Sequence, residues 1–359
     1  MRILATLLVA AASMGCSAQD GMIRPARESP GAYVFYPDLP EKPRIQFLAS
    51  YSSFRDVIGK PSLFQTFILG EGESEELGKP YGVAMQDGKI FVCDTRRNAV
   101  VVLDLVSRSV STFGDKPPGV LAKPINVAVD EEGLRYVADT ELGRVMVYDS
   151  DGHYLKAIGD PDEWTPSDVA VFGERLYVPD LENAQVVVVE RKSGRELRRF
   201  ASKGSGADNL FFPTNIEVDG DGNVYVADTG NFRVLEFDRE GKLLRQFGSL
   251  GRSLGSFARP KGVAVDKEGR VYVVDAAFEK VQVFDREGKL LLFFGAVGNV
   301  AGGINLPAKV EIDYDHVALF SDKVAPGYGL EYLILVTSQF GRNKVNVYGF
   351  LRSRGGGSG

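Results

Sequence analysis

From Phe212 to Gly248 the chain reads FPTNIEVDGDGNVYVADTGNFRVLEFDREGKLLRQFG, and from Arg259 to Gly295 it reads RPKGVAVDKEGRVYVVDAAFEKVQVFDREGKLLLFFG. The two stretches are almost in register. Each holds short β-branched runs of period 2 separated by Asp/Gly turns, such as Asp219-Gly220-Asp221-Gly222 and Asp238-Arg239-Glu240-Gly241, which supply the backbone angles that hairpins need. One unit is therefore a four-stranded antiparallel meander. A lone meander cannot bury both of its faces, so copies must stack, and radial stacking gives a propeller.

Working outward, further copies begin at Lys79 (KPYGVAMQDGKIFVCDTRRNAVVVLD), Lys123 (KPINVAVDEEGLRYVADTELGRVMVYD), Thr165 (TPSDVAVFGERLYVPDLENAQVVVVE) and Leu306. The leading prolines at 80, 124, 166, 213, 260 and 307 are 42 to 47 residues apart. Six copies predict an all-β, six-bladed β-propeller of four-stranded antiparallel blades. The sixth copy ends at Lys344–Tyr348 with a polar glycine tail behind it, so it lacks an outer strand. Arg44-Ile45-Gln46-Phe47-Leu48 matches the outer-strand run Leu243–Phe247, and we expect this N-terminal strand to close the last blade.

The residues G-V-A-V-D, V-Y-V-A-D-T and R-V-x-V-F-D resemble the NHL repeat, over about Lys79 to Phe350. Repeat identity of this kind specifies fold and says little about activity.

Residues 1–15 read as an export signal: Arg2, an apolar run from Ile3 to Ala12, then small residues. Ser13-Met14-Gly15-Cys16 resembles a bacterial lipobox with Ser13 where Leu is usual, making Cys16 a lipidation candidate. Cleavage after Ala18 is the competing reading. By resemblance to lipoprotein sorting, Ser17 implies the outer membrane. Residues 16–43 carry five prolines and read as a lipid-anchored tether. The propeller is expected over 44–350, with an insertion at 52–78 on the blade-connection face, and 351–359 as a flexible tail. In that insertion Phe54, Val57, Ile58, Leu63, Phe64, Phe67 and Ile68 follow helical spacing, as a packed plug or a lid.

With strands counted first to fourth from channel to rim, alternating direction puts the second-to-third loops and the blade connections on one face. The third position of each opening motif lies there: Gly82, Asn126, Asp168, Asn215, Gly262 and Lys309. These would ring the channel mouth. Asn126, Asp168 and Asn215 offer oxygen ligands of the kind calcium takes, as in calcium-dependent propeller hydrolases and lactonases, although short polar side chains also cap strand starts. Lys79, Lys123, Arg259 and Lys261 beside the prolines, with Arg96, Arg97, Arg144 and Arg233 on the turns, would form a basic rim suited to an acidic partner. The alternative for Arg144 and Arg233 is pairing with the strand-end Asp139 and Asp228.

Catalytic signals are weak. The two histidines, His153 and His316, fall in turns of the opposite face. Gly251–Gly255 matches G-x-S-x-G but joins two blades, whereas a nucleophile elbow joins strand to helix. Asp219–Gly230 begins like an EF-hand loop but has Val224 at the turn glycine and Gly230 at the last ligand. No C-x-x-C-H haem site occurs. The formal charge of −6 argues against nucleic acid as partner. The expectation is a non-catalytic, envelope-anchored scaffold with no cofactor that docks a protein or glycan; resemblance to bacterial lipoproteins of this type implies a multihaem cytochrome or an export system nearby. The alternative is a calcium-dependent hydrolase, lactonase or lyase.

Overall fold

The computed structural model describes residues 33–59 and 76–353. The export signal, Cys16 and the Leu63–Ile68 run lie outside them. Five blades are four-stranded meanders built as the repeat predicts. Blade 1 comprises Pro80–Gln86, Lys89–Asp94, Ala99–Asp104 and Ser109–Phe113, and blade 2 Pro124–Val129, Arg135–Asp139, Arg144–Tyr148 and Tyr154–Ile158. Blade 3 runs over Ala170–Phe172, Arg175–Asp180, Gln185–Glu190 and Glu196–Phe200. Blade 4 is Pro213–Val218, Val224–Asp228, Arg233–Phe237 and Leu243–Phe247. Blade 5 is Pro260–Val265, Val271–Asp275, Lys280–Phe284 and Leu290–Phe294.

Blade 6 closes the ring. Its first three strands are Pro307–Asp313, Tyr328–Ser338 and Val345–Ser353. The fourth is the N-terminal Ile45–Tyr51, antiparallel to the third with Ile45 opposite Phe350 and Tyr51 opposite Val345. A fifth, two-residue strand, Phe35–Tyr36, pairs outside it. That strand corrects the reading of 16–43 as tether throughout. Phe35 is buried and the Tyr36 hydroxyl donates to the Gly302 carbonyl at 3.2 Å, so the end of the segment belongs to the blade. The tail boundary also moves: the last strand runs on through Ser353, with Leu351 buried.

Second and third strands lie between neighbouring blades and bury both faces, hence continuous apolar runs such as Ile90-Phe91-Val92-Cys93. Six hydrophobic clusters alternate with the six blades. The cluster joining blade 6 to blade 1 packs Leu333, Leu335, Val345 and Val347 against Val83, Ile90, Val92 and Leu103. Phe320 and Ala325, from the insertion at the first-to-second connection of blade 6, enter the same cluster, and Gln46 fastens that insertion by donating to the Lys323 carbonyl (2.8 Å) and accepting from the Ala325 amide (3.0 Å). Cys93 is fully buried, which pushes its thiol pKa well up and removes it as a nucleophile.

The recurring strand-end aspartate has a structural task. Asp94 accepts from the Gly78 amide at 2.6 Å, Asp139 from Ala122 at 2.8 Å, Asp228 from Phe211 at 2.6 Å and Asp275 from Ala258 at 2.7 Å. Each thus ties its second strand to the segment that leads into the same blade. Ser338 takes this place in blade 6, accepting from the Asn305 amide at 3.2 Å. Arg233 pairs with Asp228 at 2.9 Å as anticipated, but Arg144 is exposed and makes no ion pair with Asp139, whose carboxylate the backbone amides already occupy. Among the described residues no helix is long and apolar enough to cross a membrane.

Candidate functional site

The six inner strands aim their third opening residue at the axis, and the ring they form is closed by charge. Lys309 of blade 6 reaches across to Asp168 of the opposite blade 3, with Nζ 2.9 Å from Oδ2. Both side chains are buried. The same Oδ2 accepts from Asn215 Nδ2 and from the Ile216 amide, each at 3.1 Å, while Oδ1 accepts from the Val169 amide at 2.8 Å. Asn126 donates to the Ser167 carbonyl at 3.2 Å. The Oδ1 atoms of Asn126 and Asn215 are buried without a donor among the described residues.

Beside this pair lies a cavity of about 140 Å³ lined by Lys309, Glu217, Glu311 and inner-strand apolar residues. Burial raises the carboxyl of Glu217 to about 7 and that of Glu311 to about 8; Lys309 draws both down, Asp168 pushes both up, and Glu217 adds to the cost of charging Glu311. Burial alone would lower the Lys309 ammonium; Asp168, Glu217 and Glu311 together hold it above its ordinary range. The channel centre is thus a four-group network in which one ammonium serves three carboxyls. Sequence reading missed Glu217 and Glu311, although the signal was present. They lie two residues after Asn215 and Lys309, where the other copies have Ala84, Ala128, Ala170 and Ala264.

The donor set does not suit calcium. A hard cation takes six to eight oxygens, largely anionic. Here the single carboxylate of the ring already receives four donors, one of them an ammonium that would repel the ion. The two free amide oxygens are not enough to replace them. Asp149, Asp151 and His153 form an exposed cluster in the third-to-fourth turn of blade 2, but Asp149 is committed to the turn's own amides, at 3.0 Å from Asp151 and 2.8 Å from His153. His316 is bound to Asp313, on the same opposite face.

Above the ring, Lys261 is buried rather than part of an exposed rim. Its ammonium donates to the Tyr81 hydroxyl and lies 4.7 Å from that ring, and burial, with Arg259 nearby, lowers its pKa to about 8. Arg97 is likewise engaged, by the Glu76 carbonyl at 2.8 Å and by the Phe54 ring. Lys79 lies 5.6 Å from the Phe340 ring. Arg96, Lys123 and Arg259 are exposed and form no ion pair with a carboxylate among the described residues. Beside them the blade connections and one second-to-third loop expose Phe211, Phe212, Leu250, Leu254, Val297 and Phe340, each about half exposed or more. Single exposed apolar residues are ordinary, whereas a set sharing one face marks a contact surface.

No protein-family model matches the sequence. Among solved structures the chain is similar to a streptogramin B lyase, at 15% identity over 77% of this chain and 94% of that one, with a TM-score of 0.54. It is similar to virginiamycin B lyase from Staphylococcus aureus, at 13% identity over 76% and 95%, TM-score 0.53. A gluconolactonase from Xanthomonas campestris matches at 15% identity over 86% and 90%, TM-score 0.57. At these identities the likeness is one of fold: the chain is a six-bladed propeller whose structural neighbours include lyases and gluconolactonases.

Proposed function

We propose that this chain is an exported binding and scaffold lipoprotein, an NHL-type propeller held at the outer membrane through Cys16, that docks an acidic protein partner on its blade-connection face. The observation that carries this reading is the pairing of exposed, uncompensated Arg96, Lys123 and Arg259 with an apolar set around Phe211, Phe212 and Leu250, over a channel mouth filled by the Asp168–Lys309 pair. Apolar anchors on the face that carries these exposed cations suit a partner with complementary acidic groups, which such charges steer and orient. Cys16 precedes the first described residue, Tyr33, by 17 residues, a reach of at most about 60 Å when fully extended. A partner such as a multihaem cytochrome or an export complex in the same envelope falls within that reach.

The competing reading, a calcium-dependent hydrolase, lactonase or lyase, draws on the structural neighbours and on the free oxygens of Asn126 and Asn215. It would require Lys309 to leave Asp168. The two are separated by placing a photo-crosslinking residue at Phe212 or Leu250 on this face, and at Val106 or Leu319 on the other, in cells. Protein adducts are expected at the first two positions only, and their loss when Lys123 and Arg259 are changed to Glu. Glycan adducts at those positions would replace the protein partner. Adducts distributed equally over both faces, or purified protein that binds calcium stoichiometrically and opens a lactone, would overturn the reading.

A further inference from the structure

The outer strands of blades 1 to 4 read SVSTF, YLKAI, ELRRF and LLRQF, each carrying polar or charged residues along its open edge. The charged ones, in blades 2 to 4, keep an edge from pairing with another chain. The outer strand of blade 5, Leu290–Phe294, reads LLLFF and has none. Its neighbours in space deepen the contrast. Blade 5 ends at this strand, whereas blade 6 is covered by the extra strand Phe35–Tyr36. Between the two lies a cleft of about 1050 Å³, walled by Val283, Leu292 and Phe293 on one side and Tyr36, Pro37 and Phe350 on the other. Among the described residues the main chain of 290–294 makes no hydrogen bond other than its ladder with Lys280–Phe284.

Charge marks the ends of this cleft. At the blade-connection end Lys280 is partly buried with its ammonium 4.6 Å from the Phe293 ring; it has no carboxylate partner among the described residues, and burial lowers its pKa. At the opposite end Lys42 and Arg44 are exposed and likewise form no ion pair among the described residues. Arg270, also on the wall, is held by Asp266 and Glu268. Asp38 and Glu41 line the same end as Lys42 and Arg44, so the local balance there is even, while Lys280 stands alone. Five residues of strand extend about 17 Å.

We propose that this cleft is a peptide-docking site in which an extended, apolar segment with an acidic end adds as a fifth strand to the edge of blade 5. Main-chain hydrogen bonds to Leu290–Phe294 supply affinity, the apolar walls take alternate side chains, and a carboxylate meets Lys280. A lipid tail would use the walls but leave the edge amides and carbonyls unpaired, which favours a peptide. This site is on the rim and is separate from the face assigned above.

The test uses the whole exported chain and a fluorescein-labelled peptide, EEVTVTVEE, with fluorescence polarisation as the readout. Saturable binding is expected, weakened at least tenfold by Leu291→Lys or Lys280→Glu and by replacing the peptide's glutamates with lysines. Leu244→Lys, on the corresponding strand of blade 4, should leave it unchanged. N-methylation of alternate amides along one edge of the peptide should abolish binding, and methylation along the other edge should spare it. No saturable binding, or equal binding of the two methylated peptides, overturns the proposal. So does stoichiometric binding of palmitate that displaces the peptide, or dimerisation that Leu291→Lys abolishes, since the cleft would then serve an amphiphile or a second copy.

Discussion

Changing Lys309 to Met tests whether the channel network is as closely interdependent as its geometry implies. The substitution keeps most of the side-chain volume and removes one charge. Asp168 would remain buried, its Oδ2 still accepting from Asn215 and Ile216 but without the ammonium 2.9 Å away. Breaking one partner of a buried pair costs about 3–5 kcal/mol, because the other charge is left uncompensated. At about 2 °C per kcal/mol for a large domain, Tm should fall by about 6–10 °C. The loss should be greater at pH 8 than at pH 5. At the lower pH Glu217 and Glu311 are already protonated and do not need Lys309; at the higher pH both begin to ionise, and only Lys309 offsets their charge. Adding Asp168→Leu should restore at least half of the stability, since a buried pair replaced by apolar residues is often near neutral. Urea unfolding of the two single variants and the double variant gives the coupling energy directly. A Lys309→Met protein within 1 kcal/mol of the parent at pH 8, or a double variant whose losses simply add, would refute the account.

Three further outcomes follow from the same geometry. Arg233→Met should cost about 3–5 kcal/mol in urea unfolding, because it strips Asp228 and also frees the Gly206 and Asn209 carbonyls, whereas Arg144→Ala should stay within about 0.5 kcal/mol. Stability should fall as pH rises from about 4.5 to 8: the unfolded glutamates release their protons near 4.5, the folded ones hold them to about 7 and 8, and Glu217→Gln with Glu311→Gln should flatten that slope in a pH series of melts. A chain beginning at Ser52 lacks the strand that closes blade 6 and exposes the apolar faces around Val347 and Tyr348; it should lose cooperative unfolding in calorimetry.

The fold was legible because a propeller repeats its local rules. The prolines mark inner strands, the Asp/Gly turns mark hairpins, and the missing outer strand of the sixth copy pointed to Arg44–Leu48, which pairs as expected through Ile45 and Phe350. The site was less legible because its decisive contacts are not local. Lys309 and Asp168 are 141 residues apart, and nothing in either repeat states that opposite blades will meet at the axis. Arg144 and Arg233 show the same limit from another side. They occupy one motif position, yet only Arg233 finds carbonyls of Gly206 and Asn209 in the long connection between blades 3 and 4. The N-terminal strand beyond residue 33 escaped notice because a proline-rich composition describes backbone preference and not the aromatic packing of Tyr36 against Phe294 and Tyr348.

The two opening glycines explain why the charges cross the channel along one line. Neither Gly82 nor Gly262 has a left-handed backbone, so neither is glycine for conformational reasons. A Cβ on Gly262 would lie 2.7 Å from Lys309 Cα and from the Val310 amide; one on Gly82 would lie 2.5 Å from Asn126 Cα. Those neighbours are backbone and cannot turn away, so each glycine lets the following blade come closer to the axis than a side chain would permit. Blade 6 follows Gly262, and its close approach brings Lys309 within reach of Asp168 opposite. Blade 2 follows Gly82, and its Asn126 then reaches the Ser167 carbonyl of blade 3. The departures from the repeat at this one position, small in two blades and charged or amide-bearing in four, are complementary. A ring of six identical residues would either clash at the axis or leave it open, and the mixed set closes it around a single ammonium.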